Sequence, residues 1–332
     1  MEKIEELEKL KELTKSQISL SEVAKILEKN NFEVLGLLHE LRLQGINIVI
    51  QKKDDDIYMY NYGERELNTD NKFNFYTDLN NEFKFVVIAD TRFGSKSQQL
   101  SILNDIYGKA YTMGYHNVFL VGNISEGLYP LTNMYSEDNF LDDTLEQVDY
   151  ITNNYPYIEG MKTYFITGLK DEKHLKNNKI NLGKRISSVR DDMIYLGHNS
   201  CKVEIDNTKV LLLSSPLQKT YTVSYRPQQQ IDSFRSEDKP DILLFGGGLQ
   251  LEKFTYRSVK CLSIPSVCRT THEMNDKRYS NTIGAWYVTL KTNKYGNLLS
   301  LKAMDSIYYK TNPDDYIKRK VLKIGGENGK RN

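Results

Sequence analysis

The sequence predicts an α/β chain in two parts: a small helix–hairpin unit, then a larger sandwich of two stacked mixed sheets flanked by helices. Three observations carry this. Residues 1–60 hold three short helical patterns followed by two apolar strands around a polar turn. Residues 83–127 read strand, turn, amphipathic helix, strand, turn, which is a βαβ unit. Strand-like runs then recur to about residue 303, first with helices between them and later as hairpins.

At 332 residues the chain has length for about two domains and ample core. Its 45 basic residues nearly balance 44 acidic ones, so net charge gives no argument for a nucleic-acid or membrane partner. The three cysteines, Cys201, Cys261 and Cys268, form no C-x-x-C and no disulfide framework, as suits a reducing compartment. No apolar run approaches the roughly 18 residues of a membrane span, and the Glu/Lys-rich start does not read as a signal peptide. The expected setting is cytoplasmic, or a virion if the chain is viral.

In order along the chain, Ile4, Leu7, Leu10 and Leu13 line one side of a charged first helix. Ser19-Leu20-Ser21-Glu22 matches a capping box and opens a second. Phe32 to Leu43 forms a third, stopped by Gly45. Ile46–Ile50 and Ile57–Tyr60 then flank the turn Gln51–Asp56. Helices followed by a hairpin read as a winged helix-turn-helix over residues 1–62. Its candidate DNA contacts are Arg42 in the third helix and Lys52 and Lys53 in the wing. Against that role stand nine Lys/Arg and twelve Asp/Glu over residues 1–60, with no basic stripe. A protein-contact role is therefore favoured, with DNA binding kept as the alternative.

Residues 63–82 read as a polar linker whose aromatics Phe73, Phe75 and Tyr76 pin it to the second domain, residues 83–312. There Phe83–Ala89 and Val118–Val121 are buried parallel strands. Leu100, Leu103, Ile106, Ala110 and Met113 make the apolar face of the helix between them. A helix carrying Leu141, Leu145, Val148 and Ile151 follows, then strands at Thr163–Thr167, Met193–Leu196, Lys202–Ile205, Lys209–Leu213 and Asp241–Phe245, with a helix at Arg226–Phe234. Strands at Val259–Ile264, Gly284–Lys291 and Leu298–Ala303 complete the sheets, and residues 313–332 read as a basic, flexible tail.

In βαβ units the loops at the carboxyl ends of the strands carry the chemistry. Here those loops begin with Asp90-Thr91-Arg92 and Gly122-Asn123, and later ones with Gly168-Leu169-Lys170-Asp171, Ser214-Ser215 and Gly246-Gly247-Gly248-Leu249. In order and spacing this series, over roughly residues 83–305, resembles the calcineurin-like metallophosphoesterases. It is closest to phage-type members with a winged helix in front, which share runs like Ser224-Tyr225-Arg226-Pro227-Gln228 and Pro240-Asp241-Ile242-Leu243-Leu244. The resemblance implies a two-metal phosphoesterase, in which carboxylates and imidazoles on strand ends hold two cations and turn a water into a nucleophile.

The residues depart from that pattern. Asp90 keeps the first carboxylate, but Arg92 stands at the first His and Asn123 at the bridging Asp. Leu169 replaces the amide ligand and Lys170 the catalytic His, with Asp171 kept. Ser214 or Ser215 takes the next His position, and Gly247 and Leu249 replace the two imidazoles of Gly-His-x-His. Only Asp90 remains a strong ligand. Fixed positive charge on Arg92 and Lys170 opposes metal binding by Coulomb repulsion, and Asp90 can pair with one of them. No metal or other cofactor and no catalytic residue is therefore expected. The alternatives are a phosphate clamped by Arg92 and Lys170, or an active enzyme using Mn, Zn or Fe on an unorthodox set of Asp90, Asn123, Asp171, His174 and His272. His39, His116 and His198 read as surface or core histidines. The expectation is a binding or scaffolding component with a protein partner and no membrane role, in phage or mobile-element replication or assembly. An active phosphodiesterase or nuclease and a winged-helix DNA-binding protein are the competing readings.

Overall fold

The computed structural model describes residues 2–14, 18–43, 46–53, 56–64, 73–129, 133–215, 222–236, 238–317 and 323–324. The chain divides into two compact units, Met1–Asn71 and Lys72–Asn332.

The first unit runs α1 (Glu2–Leu13), β1 (Ile18–Ser19), α2 (Leu20–Ile26), α3 (Asn31–Leu43), β2 (Ile46–Lys53) and β3 (Asp56–Glu64). The expected capping box is there: Ser19 Oγ accepts from Glu22 N–H at 3.2 Å, and Ser19 N–H reaches Glu22 Oε2 at 3.1 Å. A second reciprocal pair, Asn30 with Glu33, starts α3 (3.0 and 2.8 Å). Leu10, Val23, Val34, Leu38, Leu41 and Met59 are buried together and form the core of this unit. The sheet order is β1–β3–β2, all antiparallel. The short β1 has no alternation to announce it. Arg42, Lys52 and Lys53 fall in α3 and β2, but their side chains, like that of His39, lie outside the described residues.

The second unit starts earlier than the expected boundary. Phe73–Phe75 is a strand (β4) pairing in parallel with Val203–Ile205, so the span read as linker contributes to a sheet. Then follow β5 (Glu82–Ile88), α4 (Leu100–Thr112), β6 (Asn117–Val121), α5 (Thr144–Asn154), β7 (Tyr157–Ile158), β8 (Lys162–Thr167), α6 (Glu172–Asn178), α7 (Leu182–Ser187), β9 (Met193–His198), β10 (Ser200–Ile205), β11 (Thr208–Ser214), α8 (Tyr225–Asp232), β12 (Ile242–Gly246), β13 (Glu252–Tyr256), β14 (Val259–Ser263), α9 (His272–Asp276), β15 (Gly284–Thr292), β16 (Leu298–Ile307) and β17 (Lys323–Ile324). Two six-stranded mixed sheets result, ordered β16–β15–β5–β6–β8–β9 and β13–β14–β12–β11–β10–β4.

Period-2 alternation distributes the strands' side chains. Phe85, Val87, Phe119 and Val121 face inward and pack against Val210, Leu212, Ile242 and Leu244 of the other sheet. Val86, Ile88, Val118 and Leu120 face outward and are covered by Leu103, Ile106 and Ala110 of α4 and Val148 and Ile151 of α5. The second sheet is covered outside by Ile231 of α8 over Leu211 and Leu243. The central strands β5, β6 and β12 are buried on both faces, hence their apolar runs, whereas the edge strands β13 and β16 are largely exposed.

The span expected as a free tail is partly anchored. Asp315 is buried and accepts from both Ser101 N–H and Ser101 Oγ at 2.7 Å, and β17 pairs in parallel with β7. Residues 318–322 and 325–332 lie outside the described residues. Among the described residues no helix is long and apolar enough to cross a membrane.

Candidate functional site

β5, β6 and β8 run parallel, so their carboxyl ends meet at one end of the sandwich. The ends of β11 and β12 join them there: a Cβ at Gly246 would stand 2.1 Å from Val121 O, and one at Gly168 would stand 2.5 Å from Asn123 Oδ1 and 2.6 Å from Ser214 Oγ. Glycine is required at that approach. The backbone turns sharply at each exit. Asp90, Arg92 and Asn123 all have left-handed φ (51°, 47° and 54°). Asp and Asn tolerate that region, whereas an arginine there must be held by its contacts.

Those contacts are ionic. Arg92 is fully buried and donates from Nε and Nη2 to Asp90 Oδ1 (3.1 and 3.0 Å) and from Nη1 to both oxygens of Glu126 (3.3 and 3.1 Å). Asn123 Nδ2 also donates to Asp90 Oδ1 (2.9 Å), and Asn123 Oδ1 accepts from Lys170 N–H (3.1 Å). Lys170 Nζ lies 2.9 Å from Glu126 Oε1 and also donates to Glu273 of α9 and to Tyr129 Oη. Tyr129 Oη in turn donates to Glu126 Oε1 at 2.6 Å. A chain of alternating charge thus runs Asp90–Arg92–Glu126–Lys170–Glu273, and Lys277 adds the outermost cation at 2.6 Å from Glu273.

The electrostatics follow from burial and sign. Burial alone would raise the Glu126 carboxyl, but Arg92 and Lys170 overcome it and bring it down to about 2. Burial would likewise raise Glu273; Lys170 brings it down to about 2. For Arg92 burial opposes the charge, and Glu126 and Asp90 outweigh it, so its pKa is raised. Lys173 lacks this compensation. Its Nζ is buried with no hydrogen-bond acceptor among the described residues, 3.2 Å over the Tyr129 ring, and burial, then Lys170, bring it down to about 7.

Of the remaining expected site residues, Asp171 is buried and accepts from Gly168 N–H, Ile124 N–H, Ser125 N–H and Ser125 Oγ (2.8, 3.2, 2.8 and 2.8 Å). It ties the loop after β6 to the loop after β8. Burial pushes its carboxyl up to about 6 despite those donors. Leu169 is exposed. Ser215 N–H donates to Gly246 O, and Gly247, at φ 80°, packs over Ser215. Leu249 lies apart, buried with Cys268 and Met274.

The unorthodox metal set does not assemble. His174 is buried between Ser125 Oγ (3.0 Å) and Thr144 Oγ1 (2.9 Å), and burial brings its imidazole down to about 4. His272 pairs with Asp138. Among the described residues no group of three or more His, Cys, Asp or Glu side chains is placed to hold a metal ion. Nor does the donor set fit a two-metal centre. Asp90 Oδ1 is committed to three N–H donors, two of them from the Arg92 guanidinium, and the buried Asp90 Oδ2 has no partner among the described residues, which leaves a single carboxylate oxygen beside a fixed cation. Sequence reasoning missed Glu126, Tyr129 and Glu273. The available signal was charge balance: burying both Arg92 and Lys170 requires more than Asp90.

No protein-family model matches this sequence, and no curated protein does. Solved structures that resemble it include an archaeal phosphodiesterase (10% identity over 68% of this chain and 100% of that one, TM-score 0.39). Yfce, a phosphoesterase from E. coli, gives 11%, 66%, 98% and 0.35. Vacuolar protein sorting 29 from Cryptosporidium parvum gives 14%, 69%, 99% and 0.35. Likeness at this level carries no functional inference.

Proposed function

We propose that the second unit is a metallophosphoesterase-like sandwich that has lost hydrolysis and serves as a binding or scaffolding component with a protein partner. The observation behind this is Arg92, fully buried at the strand ends and held by Asp90 on one side and Glu126 on the other. A water made nucleophilic between two cations needs anionic oxygens open to those cations. Here the anionic oxygens neutralise the protein's own guanidinium and ammonium groups. Arg92 and Lys170 are equally unsuited to clamping a phosphate, since each already contacts two carboxylates.

The test joins metal analysis with hydrolysis. The purified chain is expected to carry no stoichiometric manganese, zinc or iron and to leave bis-p-nitrophenyl phosphate intact with any of them added. Stoichiometric metal together with hydrolysis abolished by Asp90→Ala overturns the reading in favour of an active phosphodiesterase.

For the first unit we propose a winged helix used for protein contact. Its element order and β1–β3–β2 sheet support that topology, and its excess of acid over base argues against nucleic acid. A salt-sensitive gel shift lost on substituting Arg42, Lys52 and Lys53 supports DNA binding instead. The phage or mobile-element setting rests on the sequence resemblance alone.

A further inference from the structure

The helices that cover the β16–β15–β5–β6–β8–β9 sheet carry a division of charge remote from the strand-end cluster. Between His116 and Lys162 the sequence has no Lys, Arg or His, and residues 117–161 carry eight Asp or Glu. Residues 162–190 reverse the balance, with eight Lys or Arg against two acids. The first stretch holds α5, and the second holds α6 and α7. Val148 and Ile151 of α5 and Leu182 and Ile186 of α7 are buried in one core cluster on the sheet. The two helices therefore lie in one layer, and their polar sides turn outward together.

Two contacts set the level of these helices against each other. Thr144 Oγ1, at the start of α5, meets His174 Nδ1 of α6 at 2.9 Å, and Thr152 O, near the end of α5, accepts from Arg190 Nη1 at 2.9 Å. Asp142 and Asp143 are thus at the α6 end of the face, with Lys179, and Glu146 and Asp149 are level with Lys184 and Arg185 of α7. All seven residues are exposed. Each stripe also leaves one apolar side chain in water, Leu145 and Val189, which are 51% and 55% exposed.

A charged helix face is ordinarily a solvated one. Here the two halves of the face are opposite in sign, so the face is complementary to a copy of itself. Two kinds of two-fold axis lay it on that copy. An axis across the helices sets α5 on α5 and α7 on α7, like charge on like. An axis along the boundary between the helices sets α5 of each copy on α7 of the other at the same level. Only the second joins acid to base.

We propose that this face is a homodimer interface, in which Glu146 and Asp149 of each copy meet Lys184 and Arg185 of the other across a two-fold axis running between α5 and α7. An 11-residue helix is roughly 16 Å long, so two abreast make a patch smaller than the roughly 800 Å² per partner of a standard interface. Its ion pairs lie near solvent, where each contributes little. The dimer is therefore weak and reversible, with a Kd on the order of 100 µM at low salt. It does not depend on whether the strand ends hydrolyse.

The test is sedimentation velocity of the full chain, in low and high salt, over a concentration series reaching well above that Kd. A monomer–dimer equilibrium is expected, which high salt weakens about tenfold or more. Glu146→Lys with Asp149→Lys should abolish it, and so should Lys184→Glu with Arg185→Glu. Mixing the two double variants should restore association as a heterodimer, since each then presents one sign to the opposite sign of the other. Lys302→Glu, on the edge strand β16, should leave the equilibrium unchanged. If a double variant fails to fold, Asp149→Lys and Arg185→Glu, alone and mixed, read the same pairing. A native chain that stays monomeric throughout overturns the proposal. So does a dimer indifferent to salt, a dimer that survives either double substitution, or a mixture of the two variants that stays monomeric. Phosphodiester hydrolysis by the native chain leaves this interface standing and removes only the non-hydrolytic reading of the strand ends.

Discussion

Replacing Glu126 by Gln tests whether the site is organised by its internal charges. The amide keeps the shape and can still meet Tyr129 Oη, but it removes the anion that Arg92 and Lys170 share at 3.1 and 2.9 Å. The Glu126 carboxyl falls from an ordinary value of 4.5 to about 2 in the folded protein. In the unfolded chain it binds more protons between those values, so stability rises with pH through that window and is fully present above 4.5. The difference corresponds to about 3 kcal/mol at pH 7, shrinking to less than half of that by pH 3. Breaking one partner out of a buried pair costs about 3–5 kcal/mol in other proteins, which agrees. Urea unfolding of Glu126→Gln at pH 7 should therefore show a loss of about 3 kcal/mol, or a melting temperature lower by about 10 °C. The gap to the native chain should narrow as pH falls toward 3. A loss under 1 kcal/mol, or a gap that does not change with pH, refutes the account of Arg92 and Lys170 as groups held by Glu126.

Two further substitutions probe the same neighbourhood. Lys173→Met should stabilise the protein at pH 7 by about 2 kcal/mol after allowance for solvent screening, since burial and Lys170 bring the amine down to about 7 with no acceptor for it. The unfolded chain binds the extra proton between 7 and 10.5, so the gain should fade as pH rises through that range, as thermal melts at pH 7 and 10 can check. His174→Gln should remove one limb of acid unfolding. The imidazole is brought down to about 4 by burial, so its contribution is complete above 6.5 and lost toward 4, and the native chain should lose stability between those values while the variant does not.

The architecture was legible wherever one physical signal dominated. Phe83–Ala89 and Val118–Val121 read as buried strands because both their faces are covered, and Leu103, Ile106 and Ala110 read as a helix face because α4 packs one stripe on the sheet. The capping box at Ser19 and Glu22 is a local device, visible locally. What stayed hidden depends on distance in sequence. β4 is a strand only because residues about 130 positions later offer it a ladder. Asp315 anchors the supposed tail by meeting Ser101, 214 residues away. The short α6, α7 and α9 lack enough turns to show a period. The site divided in the same way. Asp90, Arg92, Asn123 and Lys170 could be placed because strand ends position them, whereas Glu273 lies 103 residues from Lys170 and nothing local marks it.

The two arginines of the strand-end face can be weighed on one scale, the number of acceptors each is given. Arg92 has three acceptor oxygens from two carboxylates and no exposure, so its charge is spent inside the protein. Among the described residues Arg226 has one distant hydroxyl and a buried N–H with no acceptor. An unpaired buried donor costs about 1–3 kcal/mol, and Lys173 Nζ, buried with no acceptor among the described residues, is a second such group. The charge of Arg92 is matched inside the protein, whereas Arg226 and Lys173 keep donors that the described residues do not meet, so the internal neutralisation is specific to the Asp90–Arg92–Glu126–Lys170–Glu273 chain.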